Sequence, residues 1–399
     1  MVDYDPFADV MKDDPFPVYT RLRNESPVHW LENYECWALS RFEDIWEAGQ
    51  QPDLYPSPGP TLATIVAGPE ASEEDEAPQS IFGLNPPLHT QLRKGLARVY
   101  SPRGVARWEE HIRATTKASL DEVDASGRLD VVQGLGLRVS AEVASLLIGL
   151  PVEDSGFLAA VVRRVFTRVP GVDGAPPDAL AASVELHEYL KAAVETRLRE
   201  GKRGDAPDAL DYYLEFQPAG RSLDSDALAK HLQILVVGGT ETLPKVFAGG
   251  IIQLHRHPDQ RAALVRDPSL LRAAITEISR YEMPTQFLTR SVARDHELRG
   301  QMLRAGQGVM FLYRAANRDE AEFPDADRFD IYRNPPRILS FGQGTHVCLG
   351  QHAARLEAKV MYEELFARSP EYELDESEVV PERSEFVAGY VSVPIRLAA

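Results

Sequence analysis

Cysteine is almost absent. Two residues, Cys36 and Cys348, occur among 399. They could close one disulfide at most, which is no framework for a chain this long and excludes a disulfide-built secreted fold. No stretch approaches the roughly 18 consecutive apolar residues of a membrane span. The opening MVDYDPFADV has no basic stretch followed by an apolar one, so no secretory leader is read there. Positive charge is in deficit: 43 basic against 61 acidic side chains leave −18 at pH 7, a balance that disfavours nucleic acid as the main partner. No internal repeat, low-complexity linker or sharp composition break divides the chain. The expectation is a soluble, cytoplasmic protein folded as one domain over residues 1–399.

What is present is mostly helical. Apolar residues recur at helical spacing through Ser140 to Leu150, Phe157 to Val169, Pro177 to Gly201, Asp226 to His255, Pro268 to Tyr281 and Leu349 to Arg368. Period-two alternation and glycine turns mark strands in VHWLEN, in CWALSR, through TRSVARDHELRGQMLRAGQGVMFLYR and near the C-terminus. The predicted fold class is therefore mainly α with a minor β region. Its strand-rich parts lie roughly at 27–40, 284–312 and 380–397, and its helical parts at 85–282 and 349–368. An irregular stretch from Pro56 to Pro87 holds the acidic run PEASEEDEAP, read as a solvated loop.

The two cysteines differ in setting. Cys36 lies in an alternating segment and reads as a small buried hydrophobe. Cys348 ends FGQGTHVCLG, where Gly342 and Gly344 allow positive φ and close approach of backbone to a flat ligand. The last helix begins just beyond, and amide N–H groups at a helix start favour thiolate over thiol. A cysteine nucleophile would need a positioned base, and His346, two residues away, is a poor candidate. Zinc would want several Cys or His ligands at short spacing. A lone Cys ligand suits a metal whose other positions come from a cofactor, with haem the foremost candidate.

FGQGTHVCLG resembles the cysteine-ligand loop of cytochrome P450 at Phe341, Gly342, Gly344, His346, Cys348 and Gly350. Other segments are similar to the same family at matching intervals. GGTETLP, with Gly238, Gly239, Glu241, Thr242 and the less usual Pro244, resembles its oxygen-activation segment. NPPLHTQLR resembles its helix along one haem edge, with Asn85 where Asp is usual. Glu277 and Arg280 precede ANRDEAEFPDADRF at a familiar spacing. The resemblance runs from DPFPVYTRLR to GYVSVPIRL. Its departures are small: Arg337 where His is frequent and Ala353 where Leu is frequent.

The resemblance implies a haem-thiolate monooxygenase fold with haem b held by Cys348. It places His89, Arg93, Arg290 and His346 on the haem propionates, since a buried dianion needs such donors. It gives Glu241 and Thr242 the delivery of protons to bound dioxygen. It groups Glu277, Arg280 and Arg328 as a buried structural ion cluster. By position, Ile234, Val237, Gly238, Pro284, Thr285, Phe287 and Val387 would face an apolar substrate, under a lid formed by the Pro56–Pro87 loop and the helices around Phe166 and Val184. No GxGxxG follows an early strand, so electrons from NAD(P)H would arrive through a separate ferredoxin or flavodoxin. Arg103, Arg107, Arg113, Arg337 and Arg355 are candidates for a basic docking face. Two rival readings stand beside this one. A peroxide-using haem-thiolate peroxygenase would need no reductase, and a haem sensor would turn nothing over.

Overall fold

The computed structural model of the protein describes residues 2–57, 80–123, 127–169, 175–203 and 207–397. Helices of eight residues or more are α1 (Phe16–Glu25), α2 (Phe42–Gly49), α3 (Leu88–Tyr100), α4 (Glu109–Asp121), α5 (Leu137–Ile148), α6 (Ser155–Phe166), α7 (Pro177–Glu200), α8 (Ser225–Arg256), α9 (Pro258–Arg266), α10 (Leu271–Tyr281) and α11 (Gln351–Arg368). The long apolar segments read as helices all form, with ends shifted by a few residues. The acidic run at 69–78 lies outside the described residues, so the expected lid is described only at its flanks.

α8 is the central element. Asp224 caps it, its carboxylate accepting from the Ala227 N–H at 2.8 Å. The helix continues through Pro244 to Arg256. From Leu243 to Leu254 nearly every side chain is buried, including Leu243, Phe247, Ile251 and Leu254. Such all-round burial accounts for the apolar composition. α8 and the segment Val131–Ile148 are long and apolar enough to cross a membrane, contrary to the sequence reading. In the fold, 61% and 72% of those windows are buried inside the protein, as core helices require.

Two glycine positions set how closely α8 is approached. A Cβ at Gly239 would lie 3.1 Å from the Ala144 Cβ on α5. One at Gly136 would meet the Pro244 ring at 2.9 Å. Small residues at these crossings bring α5 and the π-helical turn Val131–Gly136 against α8.

The sheets tie distant parts of the chain together. β1 (Val28–Leu31), β2 (Cys36–Leu39), β4 (Leu288–Ser291) and β5 (Gly308–Phe311) form one sheet in the order β1-β2-β5-β4, with β2 and β5 parallel. β3 (Arg128–Asp130), β6 (Tyr372–Leu374) and β7 (Pro394–Leu397) form another, with β7 in the middle. β3 and β6 escaped the sequence reading because three-residue strands carry too little periodicity to register. Two hairpins complete the β structure: His296–Leu298 with Gln301–Leu303, and Val380–Pro381 with Tyr390–Ser392. A bridge between Thr285 and Val387 brings the second hairpin beside β4.

Candidate functional site

The segment Phe341–Gly350 folds as a tight loop ahead of α11. The Cys348 N–H donates to the Phe341 carbonyl at 2.7 Å, and Val347 N–H to Gly344 at 3.1 Å. Gly342 and Gly344 have φ of +67° and +70°, which side chains rarely adopt. A Cβ at Gly344 would also collide with the backbone of Gly49. The Arg355 guanidinium lies 4.3 Å over the Phe341 ring. The loop therefore presents Cys348 to a cavity enclosing about 2040 Å³ of space free of protein atoms, part of it open to solvent.

The Cys348 thiol opens onto the cavity. Desolvation by the surrounding protein raises it above its usual range, opposed by the Gly350 N–H, Arg93, Arg355 and the Gln351 N–H. Coordination to a metal ion deprotonates a thiol outright.

α8 forms the opposite wall. Gly238 and Gly239 share the motif but not the role. A Cβ at Gly238 would meet nothing within 4 Å, so this glycine keeps the cavity open, whereas Gly239 serves packing. Thr242 faces the cavity, and its hydroxyl donates to the Gly238 carbonyl at 3.1 Å. Its oxygen keeps accepting capacity toward the cavity. Glu241 also borders the cavity but is held in an ion pair with Lys245 at 2.8 Å. It is not a freely mobile carboxylate.

Besides Arg355, four nitrogen-bearing side chains face the same space. His89 and Arg93 come from α3, Arg290 from β4, and His346 from the loop. His89 and His346 stand with ring centroids 4.4 Å apart. Both His89 ring nitrogens and Nε2 of His346 are buried without a hydrogen-bond partner among the described residues. Burial, then the nearby arginines, pushes His89 down to about 4 and His346 down to about 3. Among the described residues, neither Arg93 nor Arg290 has a carboxylate partner; Arg93 donates to the Val347 carbonyl and Arg290 to the Thr289 carbonyl. Buried donors seldom go unmatched, and this set fits an anion.

Of the positions expected at the substrate, Ile234, Val237, Gly238, Pro284, Thr285 and Val387 line the cavity, as do Phe341 and Gly350 at the loop. Phe287 does not. It is 2% exposed and packs in a separate cluster with Tyr19, Met310 and Leu312. Phe386 lines the cavity instead, alongside Phe166 from α6.

Arg328 also falls elsewhere than expected. Its side chain is 67% exposed and reaches only Asp330. The cluster consists of Glu277, Arg280 and Arg333. Arg280 makes two bonds of 2.7 Å to Glu277, and Arg333 one of 3.2 Å. The turn before Arg333 presents the Arg328 carbonyl, not its side chain, to the Arg333 guanidinium, from which it accepts at 2.9 Å.

A cysteine loop facing an apolar chamber, edged by imidazoles without hydrogen-bond partners and guanidiniums without carboxylate partners among the described residues, is what a flat, anionic, sulfur-anchored macrocycle requires; haem meets each condition. The comparisons agree. Residues 177–387 match the family model for cytochrome P450. Cytochrome P450 130 of Mycobacterium tuberculosis is 33% identical over 402 residues, covering 97% of this chain and 96% of its own. A vitamin D(3) 25-hydroxylase of Pseudonocardia autotrophica is 32% identical, covering 99% and 96%. The crystal structure of CYP109E1 from Bacillus megaterium with testosterone superposes at a TM-score of 0.83, with 27% identity and 98% and 100% coverage.

The chain belongs to the cytochrome P450 family. It is accordingly a haem-thiolate monooxygenase whose cofactor is cysteine-ligated iron protoporphyrin IX.

Proposed function

We propose that the chain inserts one oxygen atom of dioxygen into a small, mostly apolar molecule at a haem held by Cys348, with electrons from NAD(P)H through a separate ferredoxin or flavodoxin. The observation that carries this is the convergence of Cys348, His89, Arg93, Arg290 and His346 on one cavity. When bound, the haem supplies the activation of dioxygen, which no side chain here can perform alone. The four nitrogen-bearing side chains hold its carboxylates. Thr242 orients a hydrogen-bonded water or oxygen at the α8 wall, and Glu241 gives up protons there.

The chamber suits an apolar guest. Ile234, Val237, Phe166, Pro284, Phe386 and Val387 bound it. One relative is named for vitamin D(3) 25-hydroxylation and another was solved with testosterone, both small apolar molecules, which supports the same class here. For the electron donor, the basic face is narrower than the sequence suggested. Arg113 is tied to Glu109, Glu363 and Glu364, Arg337 to Glu43 and Glu322, and Arg355 to Gln351. Arg103 and Arg107 stay exposed with no ion pair among the described residues, and Lys94 and Arg98 on α3 join them.

The test is Thr242→Ala with the reconstituted redox chain. The substrate-induced spectral change is expected to persist, while product per NAD(P)H falls several-fold and peroxide rises. Unchanged coupling would remove Thr242 from this role. Product from added peroxide at the full rate without reductant would favour the peroxygenase reading.

A further inference from the structure

Lys245 takes no part in the function just described, yet it is among the most deeply buried charges in the protein. Its side chain is 5% exposed. The ammonium lies 2.8 Å from Oε1 of Glu241, one turn earlier on α8, and 2.9 Å from Oε2 of Glu382. A lone buried ammonium costs several kcal/mol in desolvation, and these two carboxylates offset it. Burial lowers Lys245, but Glu241 and Glu382 outweigh it and hold the group above its ordinary value. Burial raises Glu241 above its own, against the pull of Lys245.

The three groups are graded from inside to outside. Glu241 borders the cavity; Lys245 and Glu382 do not. Glu382 is 12% exposed against 5% for the other two. It sits in the C-terminal hairpin, where its N–H donates to the Gly389 carbonyl at 2.9 Å. Gly389 has φ of +137°, and a Cβ there would stand 2.6 Å from the Lys245 Cβ and 3.1 Å from its Cγ and Cδ. The hairpin thus carries a glycine where the lysine stem crosses it, and the stem reaches Glu382 only because of that.

We propose that Glu382, Lys245 and Glu241 form a proton inlet from solvent to the cavity wall, with Lys245 as the relay between two carboxylates. It rests on the oxygen-activating reading above. A proton from solvent binds Glu382. Lys245 then releases one N–H proton to Oε1 of Glu241 and takes the proton from Oε2 of Glu382. One O–H bond breaks and one forms, one N–H breaks and one forms, and Lys245 ends as it began. Glu241 presents the proton to the cavity, beside Thr242. Lys245 and Glu382 touch neither substrate nor cofactor and are positioning residues. The same contacts would also serve a clip fastening the hairpin to α8, and the test separates the two.

The decisive variant is Lys245→Arg. A guanidinium keeps both ion pairs but does not deprotonate. With the holoenzyme and its redox chain, K245R is expected to keep the wild-type melting temperature and substrate-induced spectral change. Its product formation should fall at least about tenfold, with an enlarged solvent deuterium isotope effect. Glu382→Gln is expected to show the same isotope signature. K245R at the wild-type rate and isotope effect would establish a clip and overturn the inlet. A readout independent of turnover is the infrared absorption of protonated carboxyls at neutral pH. It is expected to grow in K245M and to return to the wild-type level in the E241Q/K245M double variant, because Glu241 without its cation goes neutral. No growth would show that Lys245 does not govern Glu241. Failure of the monooxygenase reading looks different: wild type and variants alike would yield no product.

Discussion

Two buried ion clusters in this protein differ in how fully their groups are paired. Glu277, Arg280 and Arg333 form one; Glu241, Lys245 and Glu382 form the other. In the first, Glu277 and Arg280 are fully occluded. Every strong donor is spoken for: Arg280 also donates to the carbonyls of Asn317 and Ala326 at 2.7 and 2.9 Å, and the Asp330 N–H donates to Glu277 at 3.1 Å. Such a cluster can only brace the fold. In the second, one ammonium serves two carboxylates, one edge meets the cavity and the other nears solvent. Saturation distinguishes a brace from a relay, more than burial does.

The largest expected effect comes from breaking the brace. Arg280→Ala leaves the Glu277 carboxylate buried with part of its pairing gone, and should cost about 3–5 kcal/mol, read as a lowered denaturation midpoint and poor haem retention. A midpoint within error of wild type would mean the cluster is not structural.

Another buried carboxyl, Glu357, sharpens the contrast because no cation pairs with it among the described residues. It meets the Ser140 hydroxyl at 2.8 Å, and burial pushes it up to about 8. The folded protein then keeps a proton that the unfolded chain releases above its ordinary value of 4.5. Stability should therefore fall as pH rises from about 4.5 to about 8, by ~1.4 kcal/mol per pH unit at most, and level off beyond. Glu357→Gln should remove that slope; an identical pH profile in variant and wild type would refute it.

The smallest effect tests the revised membership of the brace. Arg333→Ala should destabilise by about 1–3 kcal/mol. Arg328→Ala should stay within about 0.5 kcal/mol, as exposed charges do. The reverse order would restore Arg328 to the cluster.

The parts of this protein that could be read from its sequence are those whose chemistry is local. The loop around Cys348 is such a case, since its glycines answer a demand of the loop's own backbone. The pairing of Glu277 with Arg280 is another, being one helical turn. Arg333 was hidden because the choice between it and Arg328 depends on which way a turn faces its carbonyls. Phe287 and Phe386 exchanged roles for a similar reason: the bridge between Thr285 and Val387 joins residues about a hundred positions apart, and no periodicity reveals it. Lys245 was the missed opportunity. Its i,i+4 spacing from Glu241 is visible in ETLPK, but its importance rests on Glu382 and Gly389, which only the fold brings near.

The central claim is that the Cys348 sulfur holds the haem iron, and one measurement tests it most directly: the ferrous carbonyl spectrum of the purified protein beside that of Cys348→Ser. Wild type is expected to give the thiolate-type spectrum and the serine variant to lose it while keeping its fold. A serine variant with an unaltered spectrum, or a wild-type protein that stays colourless after reconstitution with haemin, would contradict the account.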